Sequence, residues 1–295
     1  MKRKESKKRI KKSIYKLKIS FQFLKPIIKG CIMVFIGILL TRIGIGVGRL
    51  TTNLIYGTLA FFFLAFSALV VIEIIRISED PSYNSPITKK QAIVLFGVMN
   101  AIGLCLTVIN VIVYYLSILS IVIAVSVGVL WLGLGLYAIK REKNDVIIKL
   151  IITLAFSVGI IYGATLNVLF IPVYVYSFFL TASFLQLSRE NVKILNIGDR
   201  NKSPKLKMSS EERVKILKSS LILQLLAIVF LILPVFTNIM NPILYILPLV
   251  FGLIIIGLAA ILTKKSISNQ RDYKKLGFIL KIGILVELIA FILAS

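Results

Sequence analysis

Long apolar runs separated by short polar stretches set the character of this chain. They fall at residues 27–48, 57–77, 91–109, 112–138, 146–163, 168–187, 216–236, 242–262 and 276–294. Each is near the ~20 residues that an α-helix needs to cross a bilayer core. The pattern predicts an all-α polytopic membrane protein with nine transmembrane helices over residues 26–295. Ahead of them, Ile10, Ile14, Leu17, Phe21 and Leu24 recur at steps of four and three with lysines opposite. Residues 1–25 therefore read as a basic amphipathic helix lying in the interface, with a disordered basic tail as the alternative. The segment resembles the basic start of a signal peptide, but the next run is long and lacks a small-residue cleavage site, so it is expected to be retained.

The polar connections alternate. Those after the first, third, fifth and seventh runs are short and nearly uncharged: GRLTTNLIY, the turn around Asn110, ATLN and TNIMNP. Residues 1–29 and the stretches around the even connections, Arg76 to Lys90, Lys140 to Lys149, Arg189 to Lys218 and Lys264 to Lys281, hold every Lys and Arg except Arg42 and Arg49. The positive-inside rule puts that side in the cytoplasm, with the N-terminus inside and the C-terminus outside. Arg42 and Arg49 stand near the outer end of the first run, where long side chains snorkel to the interface.

Composition agrees with a multi-pass protein of the cell membrane. The 295 residues are 58% hydrophobic, with mean hydropathy +0.95, above the ~45–50% apolar content of soluble domains. A net charge of +24 would suggest nucleic acid in a soluble protein, but here the basic residues lie between spans. Membrane lipids are the expected contact and nucleic acid is not. The absence of histidine excludes a histidine-ligated metal, a histidine general base and a haem ligand, and leaves hard cations on oxygen donors. Cys31 and Cys105 lie within apolar runs and read as small buried hydrophobes. Glu287, inside the last run, is expected to be protonated or to face a partner.

Every other acidic residue lies in the N-terminal tail, at a helix mouth or in a loop on the basic side. The stretch 69–92, LVVIEIIRISEDPSYNSPITKKQA, carries Glu73, Arg76 and Asp80 at i, i+3 and i+7, on one face if the helix extends that far. The sixth run ends similarly, in FLQLSRENVKILNIGD, before SPKLKMSSEERVKIL leads into the seventh. Two such mouths facing each other could clamp a diphosphate through Mg²⁺, with Lys and Arg neutralising the remaining charge. The plain alternative is a pair of ordinary charged loops.

These features resemble the UbiA-type intramembrane prenyltransferase superfamily, over most of the chain. The resemblance implies a nine-helix bundle with two aspartate-rich loops, after helices two and six, that bind the Mg²⁺-diphosphate of a polyprenyl donor. Lys25-Pro26 is similar to the family's Arg-Pro pair. The family's NDxxDxxxD falls on Ile72, Glu73, Arg76 and Asp80, so the spacing is kept, Asp80 is unchanged, Glu73 is conservative and Arg76 replaces an acid. NSPITKKQA resembles a shortened NRPxxxGxxSxxxA. Tyr137 to Arg141 resembles YxxxK with arginine in the lysine position. Arg189, Glu190, Val192 and Lys193 match the REIVK of archaeal ether-lipid members, whereas Ile194, Asn196 and Ile197 stand where aspartates are expected, leaving Asp199 nearby.

The resemblance implies a polyprenyl diphosphate and a lipophilic acceptor as partners. It implies Glu73 and Asp80 as Mg²⁺ ligands, Glu73, Arg76 and Asp80 as catalytic residues, and Tyr137, Arg141, Arg189, Glu190, Lys193 and Asp199 around the diphosphate. Two readings of the altered motif stay open: arginine replaces part of the metal clamp, or Arg76 pairs with Glu73 and Asp80 and the site is structural. The functions expected are, in order, prenyl transfer, isoprenoid or lipid binding by a fold that has lost its metal site, and small-solute transport.

Overall fold

Helices build the chain in a computed structural model that describes residues 28–42, 44–79, 85, 87–114, 145–168, 170–200, 209–236, 242–268 and 273–294. Residues 1–25 lie outside the described residues, as do Tyr137, Arg141 and most of the fourth expected run. All regular elements among the described residues are helical. They are α1 (Ile28–Leu40), α2 (Val47–Thr52), a π-helical turn (Asn53–Gly57), α3 (Thr58–Glu79), α4 (Lys89–Tyr114), α5 (Asp145–Thr165), α6 (Val173–Arg200), α7 (Ser210–Phe236), α8 (Pro242–Ser268) and α9 (Tyr273–Ala294).

The chain is a multi-pass membrane protein, but the expected nine spans require correction. Among the described residues, four stretches are long and apolar enough to cross: Val47–Ser67, Lys89–Ile109, Ser210–Phe236 and Leu249–Ser268. The described residues of α1 span about 20 Å at ~1.5 Å per residue, against a ~30 Å hydrocarbon core. α6 carries Arg189, Glu190, Lys193, Asp199 and Arg200 along its second half. Placing the two termini on opposite sides relied on an odd number of crossings and falls with that count.

The first expected loop is also different. The run from Leu40 turns at Gly44, whose φ of 79° is in the left-handed region that glycine enters freely. GRLTTNLIY is then helical, as α2 and the π turn, and leads directly into α3. Its shortness and few charges gave a linker reading, but it has no proline to stop a helix.

The chain divides into two units, residues 1–35 with 46–159 and residues 36–45 with 160–295. In the first, α3 packs along α4, and the π turn packs on both. Val70, Ile74 and Ala92 are buried together, with Phe66, Ile87, Leu95 and Phe96 against them. Deeper along the pair, the Ser67 hydroxyl meets Asn100 Oδ1 at 3.2 Å, and Asn100 Nδ2 donates to the Phe96 carbonyl at 2.9 Å. Cys31 is half-buried with its thiol 3.9 Å from the Thr58 carbonyl, while Cys105 is exposed, contrary to its expected burial. α4 turns one apolar face outward, and Cys105 shares that exposure with Val94, Val98, Ile102 and Ile109.

In the second unit α6, α7, α8 and α9 pack in a ring, each against the next and α9 back against α6. Aromatic contacts hold the ring: Phe184 with Phe230 at 5.7 Å and Phe178 with Tyr245 at 6.4 Å. Pro234 removes one N–H from α7, and nearby the buried Tyr245 hydroxyl donates to the Leu231 carbonyl at 2.7 Å. The end of α1 is closed with equal economy. A helix leaves its last four carbonyls without partners, and here Gly37 and Ile38 accept from Thr41 Oγ1 (3.0 and 3.4 Å), Ile38 from Asn167 Nδ2 (2.7 Å), Leu39 from the Arg42 N–H (3.3 Å) and Leu40 from the Tyr174 hydroxyl (2.9 Å).

Candidate functional site

In the last third of α3, Glu73 is 3% exposed and is followed by buried Ile74 and Ile75. The Ser85 hydroxyl donates to Glu73 Oε1 at 2.8 Å, and Ser85 Oγ accepts the Ile87 N–H at 3.2 Å. A reciprocal cap follows: the Gln91 N–H donates to Thr88 Oγ1 at 3.3 Å and the Thr88 N–H to Gln91 Oε1 at 3.0 Å. Ile87 before the cap packs in the cluster that holds Ala92, which is the hydrophobic staple of a helix start. Arg76 lies on α3, but its side chain and Asp80 lie outside the described residues.

The second mouth is helix rather than the expected loop. α6 runs through SRENVKILNIGDR to Arg200, because the stretch has no proline, its Arg, Glu, Lys and Leu favour helix, and its charges pair at helical spacing. Gln186 Nε2 donates to Glu190 Oε1 at 3.1 Å, Lys193 Nζ to Glu190 Oε2 at 3.2 Å, and Arg189 Nη1 to Gln186 Oε1 at 3.4 Å. Glu190 and Gln186 are buried, Arg189 is half-buried and Lys193 is exposed. The structure thus brings Arg189, Glu190 and Lys193 together around a glutamine. The side chain of Asp199 lies outside the described residues. Two cations against one carboxylate leave the group positive, and guanidinium and ammonium donors are suited to phosphate oxygens.

Beside this group a polar tie crosses the ring. Ser188, Ser220, Gln224 and Thr263 are each 0% exposed. Gln224 Nε2 lies 2.9 Å from Ser188 Oγ and 3.0 Å from Thr263 Oγ1, and the Thr263 hydroxyl is 3.1 Å from Gln224 Oε1. Ser188 and Ser220 exchange hydroxyl-to-carbonyl bonds at 3.4 and 3.3 Å.

Mg²⁺, which the resemblance implies, needs several oxygen donors. Among the described residues no three His, Cys, Asp or Glu side chains are grouped to hold a metal. The described carboxylates at the mouths are already engaged, Glu73 by a hydroxyl and Glu190 by an amide and an ammonium. Asp80 and Asp199, the other acids expected at the mouths, have side chains outside the described residues.

Sequence reasoning missed Gln186, Ser85 and the buried tie. A signal existed for some of it. Thr88-x-x-Gln91 and Ser209-x-x-Glu212 have the S/T-x-x-E/Q spacing of a capping box ahead of an apolar run, and in the second the Glu212 N–H donates to Ser209 Oγ and the Ser209 N–H to Glu212 Oε2, both at 3.1 Å. Gln224 is a lone amide inside SLILQLLAIV, and such a residue in a span faces a partner.

The chain is similar to a solved structure of digeranylgeranylglyceryl phosphate synthase in membranes. TM-score is 0.66 at 22% identity, with 92% of this chain and 98% of the other covered. The likeness is one of fold. It extends over nearly the whole of both chains. No protein-family model and no curated protein matches the sequence.

Proposed function

We propose that the chain is a membrane prenyltransferase that moves a polyprenyl group from its diphosphate to a lipophilic acceptor. The observation that carries this is the near full-length likeness in fold to a digeranylgeranylglyceryl phosphate synthase. The C–O bond to the diphosphate breaks with its electron pair on oxygen, and the new bond forms from the acceptor to the same carbon. Donors aimed at the charge that develops on the leaving group lower that barrier. Arg189 and Lys193 are assigned this role on the described face of α6, with Arg76, Tyr137 and Arg141 as further diphosphate contacts and Asp80 and Asp199 as the remaining acids of the two motifs.

A second reading has its own support. Glu73 and Glu190 occupy motif positions yet serve as acceptors for the protein's own donors, which favours an isoprenoid- or lipid-binding protein that no longer turns over. Membranes containing the chain, given a labelled polyprenyl diphosphate and a panel of lipophilic acceptors with and without Mg²⁺, separate the two. Label on an acceptor together with diphosphate release supports transfer. Saturable binding without release supports the second reading, and absence of both in folded protein overturns both.

A further inference from the structure

We propose that Glu73 is the buried anchor of a latch that positions the start of α4, and that in this chain it does not act as a metal ligand. The inference deepens the proposed function, on which its bearing on catalysis rests.

The geometry is a relay. The Ile87 N–H donates to Ser85 Oγ (3.2 Å) and the Ser85 hydroxyl donates onward to Glu73 Oε1 (2.8 Å). One serine oxygen thereby joins a backbone amide just outside α4 to a carboxylate inside α3, twelve residues earlier in the chain. The relay ends where α4 begins. Ile87 packs beside Val70, Ile74 and Ala92, and the next residue, Thr88, forms the reciprocal cap with Gln91 and accepts the Ala92 N–H on its carbonyl at 2.9 Å. Ser85, Ile87 and Thr88 thus have their backbone or side-chain polar groups engaged in sequence, and Glu73 is the acceptor on the α3 side.

A carboxylate at 3% exposure is costly to bury unless donors meet it, and a hydroxyl supplied from the following loop is one such donor. A metal ligand in the same position would offer that oxygen to the cation. Here its 2.8 Å bond to Ser85 makes the oxygen structural, and α4 with Lys89 and Lys90 at its first turn is held in register by it.

Amide hydrogen exchange across residues 85–95 of the full chain in lipid nanodiscs tests this without requiring turnover. Ser85→Ala and Glu73→Ala are each expected to speed exchange over Ile87–Ala92 by roughly tenfold, the loss of one net hydrogen bond. Glu73→Gln is expected to stay near the parent, because an amide oxygen accepts the same hydroxyl. Adding MgCl₂ in place of EDTA is expected to leave the segment unchanged. Glu73→Gln as disruptive as Glu73→Ala overturns the latch, as does a silent Ser85→Ala, or a Mg²⁺ response in the parent that Glu73→Gln abolishes. Absence of prenyl transfer with the exchange pattern intact counts against the proposed function alone.

Discussion

Replacing Gln224 with leucine removes the polar tie at the centre of the α6–α9 ring while nearly conserving volume. Two hydrogen bonds go, those that Gln224 Nε2 donates to Ser188 Oγ and Thr263 Oγ1; the single Thr263 hydroxyl proton is placed on the nearer Ala259 carbonyl rather than on Gln224 Oε1. Neither hydroxyl is left bare, because Ser188 keeps the Ser220 carbonyl at 3.4 Å and Thr263 keeps the Ala259 carbonyl at 2.8 Å. The penalty for an orphaned buried group is therefore avoided. What remains is the bonds themselves, at ~0.6 kcal/mol each inside a membrane, or about 1 kcal/mol together. Leucine recovers little, since lipid tails are as apolar as the ring interior. Gln224→Ala adds a cavity and is expected to cost at least ~1 kcal/mol more. Reversible unfolding of purified protein in mixed micelles reads both. Thr263→Val, which removes the same partner, should couple to Gln224→Leu by at least ~0.5 kcal/mol in a double-mutant cycle. A leucine variant as stable as the parent, or additive behaviour in the cycle, would refute the reasoning.

Three further outcomes follow from the geometry. A Cβ on Gly159 would stand 2.7 Å from the Gly30 carbonyl oxygen and 3.1 Å from the Val34 nitrogen, whereas one on Gly257 meets nothing within 4 Å; Gly159→Ala should cost ~1–3 kcal/mol and Gly257→Ala should be neutral or stabilising by up to ~1 kcal/mol, read by thermal unfolding. Thr88→Ala and Ser209→Ala each remove an N-cap and should cost about 1 kcal/mol, with faster exchange confined to the first turns of α4 and α7. Glu190→Gln leaves the amide partner of Gln186 in place but frees Lys193 from its 3.2 Å ion pair, so inorganic pyrophosphate should bind more tightly in calorimetry at low salt and lose that gain as salt rises.

How far the sequence carried depends on what each feature is made of. Apolar runs announced the helices because burial and lipid exposure both demand them, and 216–236 and 91–109 correspond closely to α7 and α4. The GRLTTNLIY stretch was misread because low charge between two runs resembles a linker, while nothing in it stops a helix. The extension of α6 to Arg200 was hidden for the opposite reason: SRENVK looked like a loop by its charges, yet Gln186, Glu190 and Lys193 are spaced to bond along one helix face. Arg189, Glu190 and Lys193 were legible as a group. The role of Glu73 was not, since its partner Ser85 comes from beyond the turn and only a folded chain brings the two together. The glycine contacts Gly159 to Gly30 and Gly37 to Ile160 are likewise pairings between distant segments that composition does not encode.

Release of diphosphate from a labelled polyprenyl diphosphate by the purified chain in bilayers, compared with its Arg189→Ala/Lys193→Ala variant, tests the central claim most directly. The account predicts release by the parent and, at ~1.5–3 kcal/mol for each charge-assisted contact, a loss on the order of a hundredfold or more in the folded variant. No release by folded parent protein with any acceptor, or equal rates in parent and variant, would contradict it.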